Sequence, residues 1–171
     1  MNITGQIHKS VEQLFRNYQY KLHNSYVFAW ESDFFAISKS EYTIEVEIKI
    51  SKQDFNHDFQ KSVYNIPKHD YLNDSEKLKK PNKFYFAMPK GLIEHREINI
   101  NYGIIEYENG FAKVARNAKF LHKDNLLKNN WFLLQLVKKF YYRNIDLRQA
   151  MNVRDYDLKY GQKSLFDYRY Y

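Results

Sequence analysis

The sequence predicts a mixed α/β (α+β) domain, a central mixed β-sheet flanked by helices, with an extra C-terminal helix and tail. Three observations lead there. Residues 42–50 alternate strictly between apolar and polar, apolar residues recur at helical spacing over 6–20 and again after 124, and strand-like runs fall between those helical ones.

Ile7, Val11, Leu14, Phe15 and Tyr18 mark an amphipathic helix over residues 6–20, with Glu12 at the rim of its apolar face. The stretch "SYVFAWESDFFAIS" predicts strands near 26–30 and 34–38, and Asp33 falls at the start of the second. In the next strand Ile44, Val46, Ile48 and Ile50 point one way, and Thr43, Glu45, Glu47 and Lys49 the other. Phe55, Phe59 and Val63 give a helix over 52–64, closed by Pro67. A polar, basic segment over 68–82 reads as a loop with some helix. "KFYFAMP" reads as a strand stopped by Pro89, and "YGIIEYENGFAKVARNA" as a hairpin around Asn109-Gly110. Asp124 caps a helix to about 143, with Leu126, Leu133, Val137 and Phe140 as its buried stripe. The division is a domain over 1–143 and a basic, tyrosine-rich extension over 144–171, in which Tyr168, Tyr170 and Tyr171 carry no assigned role.

Composition narrows the function. An apolar share of 44% with 18% aromatics is enough for a core, while a mean hydropathy of -0.73 leaves a charged surface. No cysteine is present, so thiolate metal sites, disulfides and cysteine nucleophiles are excluded. There is no leader pattern and no apolar run of about 18 residues, which predicts a cytoplasmic protein that does not enter a membrane. The net charge of +7 favours a polyanion such as DNA as partner, and a lysine-rich codon bias accounts for it equally well. No Gly-rich phosphate loop occurs, and the histidines show no metal-ligand spacing.

A cation that helps hydrolyse a phosphodiester needs hard oxygen ligands and an open side. Asp33 and Glu47 supply such a pair, with 13 residues between them for an antiparallel return through "SKSE". Lys49, two residues beyond Glu47, projects on the same face, where an ammonium orients water and offsets charge on phosphorus. The alternative is a set of cross-strand ion pairs on a solvated face.

"WESDFFAIS" followed by "EVEIK" resembles the PD-(D/E)xK nuclease superfamily, in which one strand carries an Asp and the next a Glu-x-Lys. "EIKISKQDFNHDFQK", the pair Lys68-His69, and "PNKFYFAMPKGLI" with "YGIIEYENGFAKVARNAKFLHK" are similar to its DNA-repair and phage nuclease-like branch, over roughly residues 6–123. The resemblance implies a restriction-endonuclease-like core and a Mg2+-dependent deoxyribonuclease, with Mn2+ able to substitute. It implies catalysis by Asp33, Glu47 and Lys49, and metal ligation by Asp33, Glu47 and the Ile48 carbonyl. Ser32 stands where the family usually has proline. Glu12, Glu31, Glu45 and Asp58 are auxiliary candidates, and Lys68, His69, Lys79, Lys80 and Lys83 are candidates for DNA contact. Ser51 and Asp54 read as helix caps, and Asp58 as either a solvated helix residue or an organiser of the site. A nucleic-acid-binding or protein-interaction module of the same fold, without turnover, is the alternative function. Assembly as a homodimer stays open.

Overall fold

The computed structural model describes residues 2–160. A first compact unit ends at Leu133 and a second begins at Leu134. Tyr168, Tyr170 and Tyr171, with the rest of the tail from 161, lie outside the described residues.

Helix α1 (Ile3–Leu14) starts at Asn2, whose side chain accepts from the Gly5 amide at 2.9 Å, and it buries Ile7 and Val11. It is shorter than the 6–20 predicted, because the chain from Tyr20 pairs into the sheet. The sheet has six strands. They are β1 (Tyr20–Ser25), β2 (Ser32–Ile37), β3 (Thr43–Ile48), β6 (Lys83–Pro89), β7 (Gly103–Glu108) and β8 (Phe111–Arg116), side by side in that order. Neighbours β1/β2, β2/β3 and β7/β8 run antiparallel, whereas β3/β6 and β6/β7 run parallel, so the sheet is mixed as expected. Between β3 and β6 come α2 (Lys52–Asp58), a two-stranded ribbon of β4 (Ser62–Val63) and β5 (Ile66–Pro67), and α3 (Lys68–Asn73). The run 26–30 is a connection rather than a strand. Its Val27, Phe28 and Trp30 are buried, with Phe28 stacked on Phe132 at 6.0 Å.

One sheet face, bearing Phe34, Ala36, Ile44, Val46 and Ile48, packs on α1. The period-two pattern of β3 therefore holds. Its second face is also covered: all six β3 residues are buried, Glu45 and Glu47 included. A solvated charged face is thus ruled out, and α2 and α3 provide the cover. Helix α3 was hidden in a polar stretch, and α2 stops at Asp58 instead of 64 because β4 follows.

Two devices lock this layer. Asn82 Oδ1 accepts from both the amide and the hydroxyl of Thr43 (2.8 and 2.9 Å), while its Nδ2 donates to the carbonyls of His122 and Asp124. At the other end of the parallel strands, Asn109 (φ 51°) and Gly110 (φ 88°) turn β7 into β8, the double positive φ that a two-residue hairpin requires.

Helix α4 (Asn130–Tyr160) follows a short 3-10 turn (Leu126–Lys128) and extends well past 143, since no glycine or proline interrupts it. Its predicted stripe is corrected. Leu126 is buried but precedes the helix, Phe132 and Leu136 are buried, and Leu133, Val137 and Phe140 are exposed.

Candidate active site

The register that pairs Phe34 with Val46 and Phe35 with Glu45 brings Asp33 opposite Glu47. Both project from the face that carries Glu45 and Lys49, at the end of β3. Asp33 Oδ2 accepts a hydrogen bond of 2.6 Å from the Ile48 amide, which fixes the carboxylate across the strand pair. Burial first, and then the charge of Glu47, push the Asp33 carboxyl up to about 6, against the opposing pull of that amide, Lys49 and Lys61.

Beneath this pair lies a buried network of opposite charges. Glu47 Oε2 meets Lys49 Nζ at 3.2 Å, and Lys49 Nζ meets Asp58 Oδ1 at 3.0 Å. Asp58 Oδ2 accepts from Lys68 Nζ at 3.3 Å, and Lys68 Nζ donates to Glu47 Oε1 at 2.9 Å. Two carboxylates and two ammoniums thus close a ring in which every neighbour is of opposite sign. Lys68 is fully buried, 3.9 Å from Glu45 and over the rings of Trp30 and Phe84 at 5.6 and 5.2 Å. Burial works against both ammoniums, yet the surrounding carboxylates outweigh it and hold Lys49 and Lys68 above the ordinary lysine value. Burial alone would raise Asp58, but His69, Lys68, Lys49 and Lys61 together hold it well below the carboxylate range.

His69 joins the ring from the side. Its Nε2 lies 3.0 Å from Asp58 Oδ2 and its Nδ1 2.9 Å from the Tyr102 hydroxyl, which itself accepts from Asn73 Nδ2 at 2.7 Å. Burial lowers the imidazole despite Asp58, so the ring is neutral. The Asp58 carboxylate can only accept, which puts the proton on Nε2 and leaves Nδ1 to accept from Tyr102.

Glu45 is completely buried and accepts from Trp30 Nε1 at 2.6 Å. Burial pushes it up to about 8 in spite of Lys68, so it carries its proton at neutral pH. The buried Ser32 hydroxyl stands beside it and, with Trp30, works against that upward shift.

The structure brings Asp33, Glu47, Lys49, Glu45 and Asp58 together. It does not bring Glu12, which sits on the α1 face of the sheet beside His23 at 3.6 Å. Glu31 is exposed and holds the Tyr26 hydroxyl. Ser51 caps α2 through the Asp54 amide at 3.1 Å, as expected.

The DNA-contact candidates are largely corrected. Lys68 and His69 are buried in the network, and Lys80 is buried with its ammonium on the carbonyls of Leu72 and Asp74 (2.8 and 2.6 Å). Lys79 lies over Trp131 at 5.1 Å and Lys83 over Phe120 at 4.5 Å. Lys83 aligns with Ile44, three residues before Glu47, so this basic segment enters the sheet roughly 10 Å from the site along the strands. Sequence reasoning missed Lys61, half-exposed with Nζ 2.7 Å from Asp58, and the supporting Trp30, Asn73 and Tyr102. No motif flags these positions.

Fold and site together define a mixed α+β domain with a carboxylate pair at one end of the sheet and a compensated ion cluster under it. No protein-family model and no curated protein matches the chain. Among solved structures it is similar to the SPO1766 protein of unknown function from Silicibacter pomeroyi, at 14% identity and a TM-score of 0.63, covering 91% of this chain and 94% of that one. This likeness shows the fold alone. Among the described residues, no helix is long and apolar enough to cross a membrane.

Proposed function

We propose that the chain is a metal-dependent nuclease of the PD-(D/E)xK type that hydrolyses DNA phosphodiester bonds in the cytoplasm, in repair, recombination or phage genome processing. The observation that carries this reading is the opposition of Asp33 and Glu47 on adjacent strands, with Asp33 pinned by the Ile48 amide and Lys49 on the same face. The order of elements agrees with a restriction-endonuclease-like core: a helix, three antiparallel strands, helices, then a strand parallel to the third.

The donor set fits one Mg2+ or Mn2+ that keeps several waters, because such ions are held by one or two carboxylates rather than by an all-protein cage. Asp33 and Glu47, with the Ile48 carbonyl, would hold the ion, although no group of three or more metal-binding side chains converges among the described residues. Burial first, and then repulsion by Glu47, raise Asp33, and a cation relieves the repulsion. When bound, the ion polarises the phosphate and activates water.

Lys49 stays an ammonium, so it places charge beside the developing phosphorane oxygens and does not act as a general base. Lys61, half-exposed beside the same carboxylates, attracts the phosphate from the mouth of the site. Purified protein is expected to cut DNA with Mg2+ or Mn2+, and Asp33→Ala or Lys49→Ala to abolish cutting without unfolding. Undiminished cutting by either folded variant rejects the assignment.

A second reading has an observation of its own. Both Glu47 oxygens already lie against ammoniums, at 2.9 and 3.2 Å, as in a module of the same fold that binds nucleic acid or protein without turnover. Salt-sensitive DNA binding with no cleavage in any divalent ion favours it.

A further inference from the structure

Among the described residues, Asp58 takes the three ammoniums around the site and the neutral imidazole of His69 as well, whereas Glu47 takes the ammoniums alone. Asp58 is fully buried, and its two oxygens take Lys61 at 2.7 Å, Lys49 at 3.0 Å, His69 at 3.0 Å and Lys68 at 3.3 Å. Four donors match the roughly four lone-pair sites of a carboxylate. Glu47 takes one ammonium of the ring on each oxygen. Without Asp58, Lys49 and Lys68 would share Glu47 as their one close carboxylate, with Asp54 and Glu45 no nearer than 3.9 Å.

We propose that Asp58 is the positioning residue of the site: from α2 it tethers Lys49 and Lys68 so that Glu47 is gripped from both sides and Lys49 keeps one orientation toward the phosphate. His69 sets the carboxylate in turn, itself fixed by Tyr102 and Asn73. Lys68 and His69 therefore serve the site from inside, not by contact with DNA.

The inference rests on Lys49 facing the substrate, and its test separates the two claims. The first readout needs no activity. In 15N NMR, buried and tethered lysine ammoniums exchange slowly with water, so the wild type should show protected Nζ signals for Lys49 and Lys68. In Asp58→Asn both should vanish into fast exchange while the backbone spectrum stays native. The second readout is cutting with Mg2+. Asp58→Asn should lower kcat about 100-fold, the scale of a small misplacement, with KM for DNA nearly unchanged, and Asp58→Glu should restore part of it.

Protected Nζ signals that persist in Asp58→Asn overturn the proposal, as does a loss carried by KM alone. Loss of the signals in a protein whose wild type never cuts supports the tether and sinks the nuclease reading. Should Asp58→Asn fail to fold, His69→Gln leaves all ring charges in place. It should weaken the same two signals and lower kcat in the same direction, and no change in either overturns the proposal.

Discussion

Asp33→Asn should make the protein more stable at neutral pH while removing its activity. Among the described residues, Asp33 is the member of the carboxylate pair that no ammonium bridges directly; its close hydrogen bond comes from the Ile48 amide. Its carboxyl stands at about 6 against an ordinary value of 3.8. At 1.36 kcal/mol per pH unit the gap corresponds to about 3 kcal/mol. The folded state holds this proton more tightly than the unfolded chain, so Asp33's share of stability falls as pH rises from about 4 to about 6, then levels off. Asparagine does not titrate, keeps a carbonyl oxygen for the Ile48 amide, and turns its NH2 toward Glu47 instead of a second negative charge.

Urea denaturation across pH 4 to 8 measures this directly. The variant should gain up to about 3 kcal/mol at pH 7.5, or about 6 to 12 °C in Tm for a chain of this size, and the advantage should shrink to nothing near pH 4. A variant equally stable or less stable than wild type at pH 7.5 would refute the reasoning, and so would a difference that does not change with pH. The measurement is made without divalent ion, since an ion on Asp33 would cancel the repulsion being tested.

Other parts of the molecule make separate expectations. Lys68→Met leaves Glu47 and Asp58 buried with half their partners, so chemical denaturation should show a loss of about 3 to 5 kcal/mol, part of it recovered by adding Glu47→Gln. Glu45 carries a proton at neutral pH, so Glu45→Gln should match wild type near pH 4, gain on it as pH rises from about 4.5 to about 8, and be the more stable protein near pH 9, read from Tm against pH. Asn82→Ala strands the buried Thr43 amide and hydroxyl and should cost about 1 to 3 kcal/mol in urea unfolding, with Asn82→Asp partly tolerated. Lys80→Ala should lower Tm rather than weaken DNA binding, because its ammonium is used on two backbone carbonyls inside the fold.

What could be read from the letters followed local rules. The alternation of β3 fixed which residues share a face, the Asn109-Gly110 pair marked its turn, and Ser51 announced the start of α2. Asp33 and Glu47 were legible as a pair because an antiparallel return over 13 residues leaves few registers. Burial was not legible. A face written Thr43, Glu45, Glu47, Lys49 looks solvated, and only the arrival of Asp58 and Lys68 from distant segments makes its burial tolerable. The segment of α3 read as a loop with only some helix for the same reason: Lys68 and His69 are core residues with polar names. Strand β1 was missed because it is an edge strand with only Leu22 and Ser25 buried, too few to imprint a period. The stripe of α4 was misplaced by one residue, since Phe132 and Leu136 share the 3.6-residue period with Leu133 and Val137.

The ion ring bears on where a cation would gain most. Buried ion pairs rarely stabilise a fold beyond what an apolar core of equal volume gives, because desolvation consumes the Coulomb gain. The ring of Glu47, Lys49, Asp58 and Lys68 is therefore poor value as a staple, and its better use is geometric: it holds a carboxylate and an ammonium at the end of β3 in one orientation, with its own charges summing to zero. Asp33 stands outside that cancellation. Burial and the charge of Glu47 outweigh the Ile48 amide and lysines that are committed to other carboxylates, which is why its proton is held so tightly. A divalent ion between Asp33 and Glu47 would thus draw most of its binding energy from Asp33 and have to share Glu47 with two lysines. Affinity for the ion should then track the ionisation of Asp33 near pH 6, while the ring below, with Asp58 held far into its ionised form, keeps its charges unchanged.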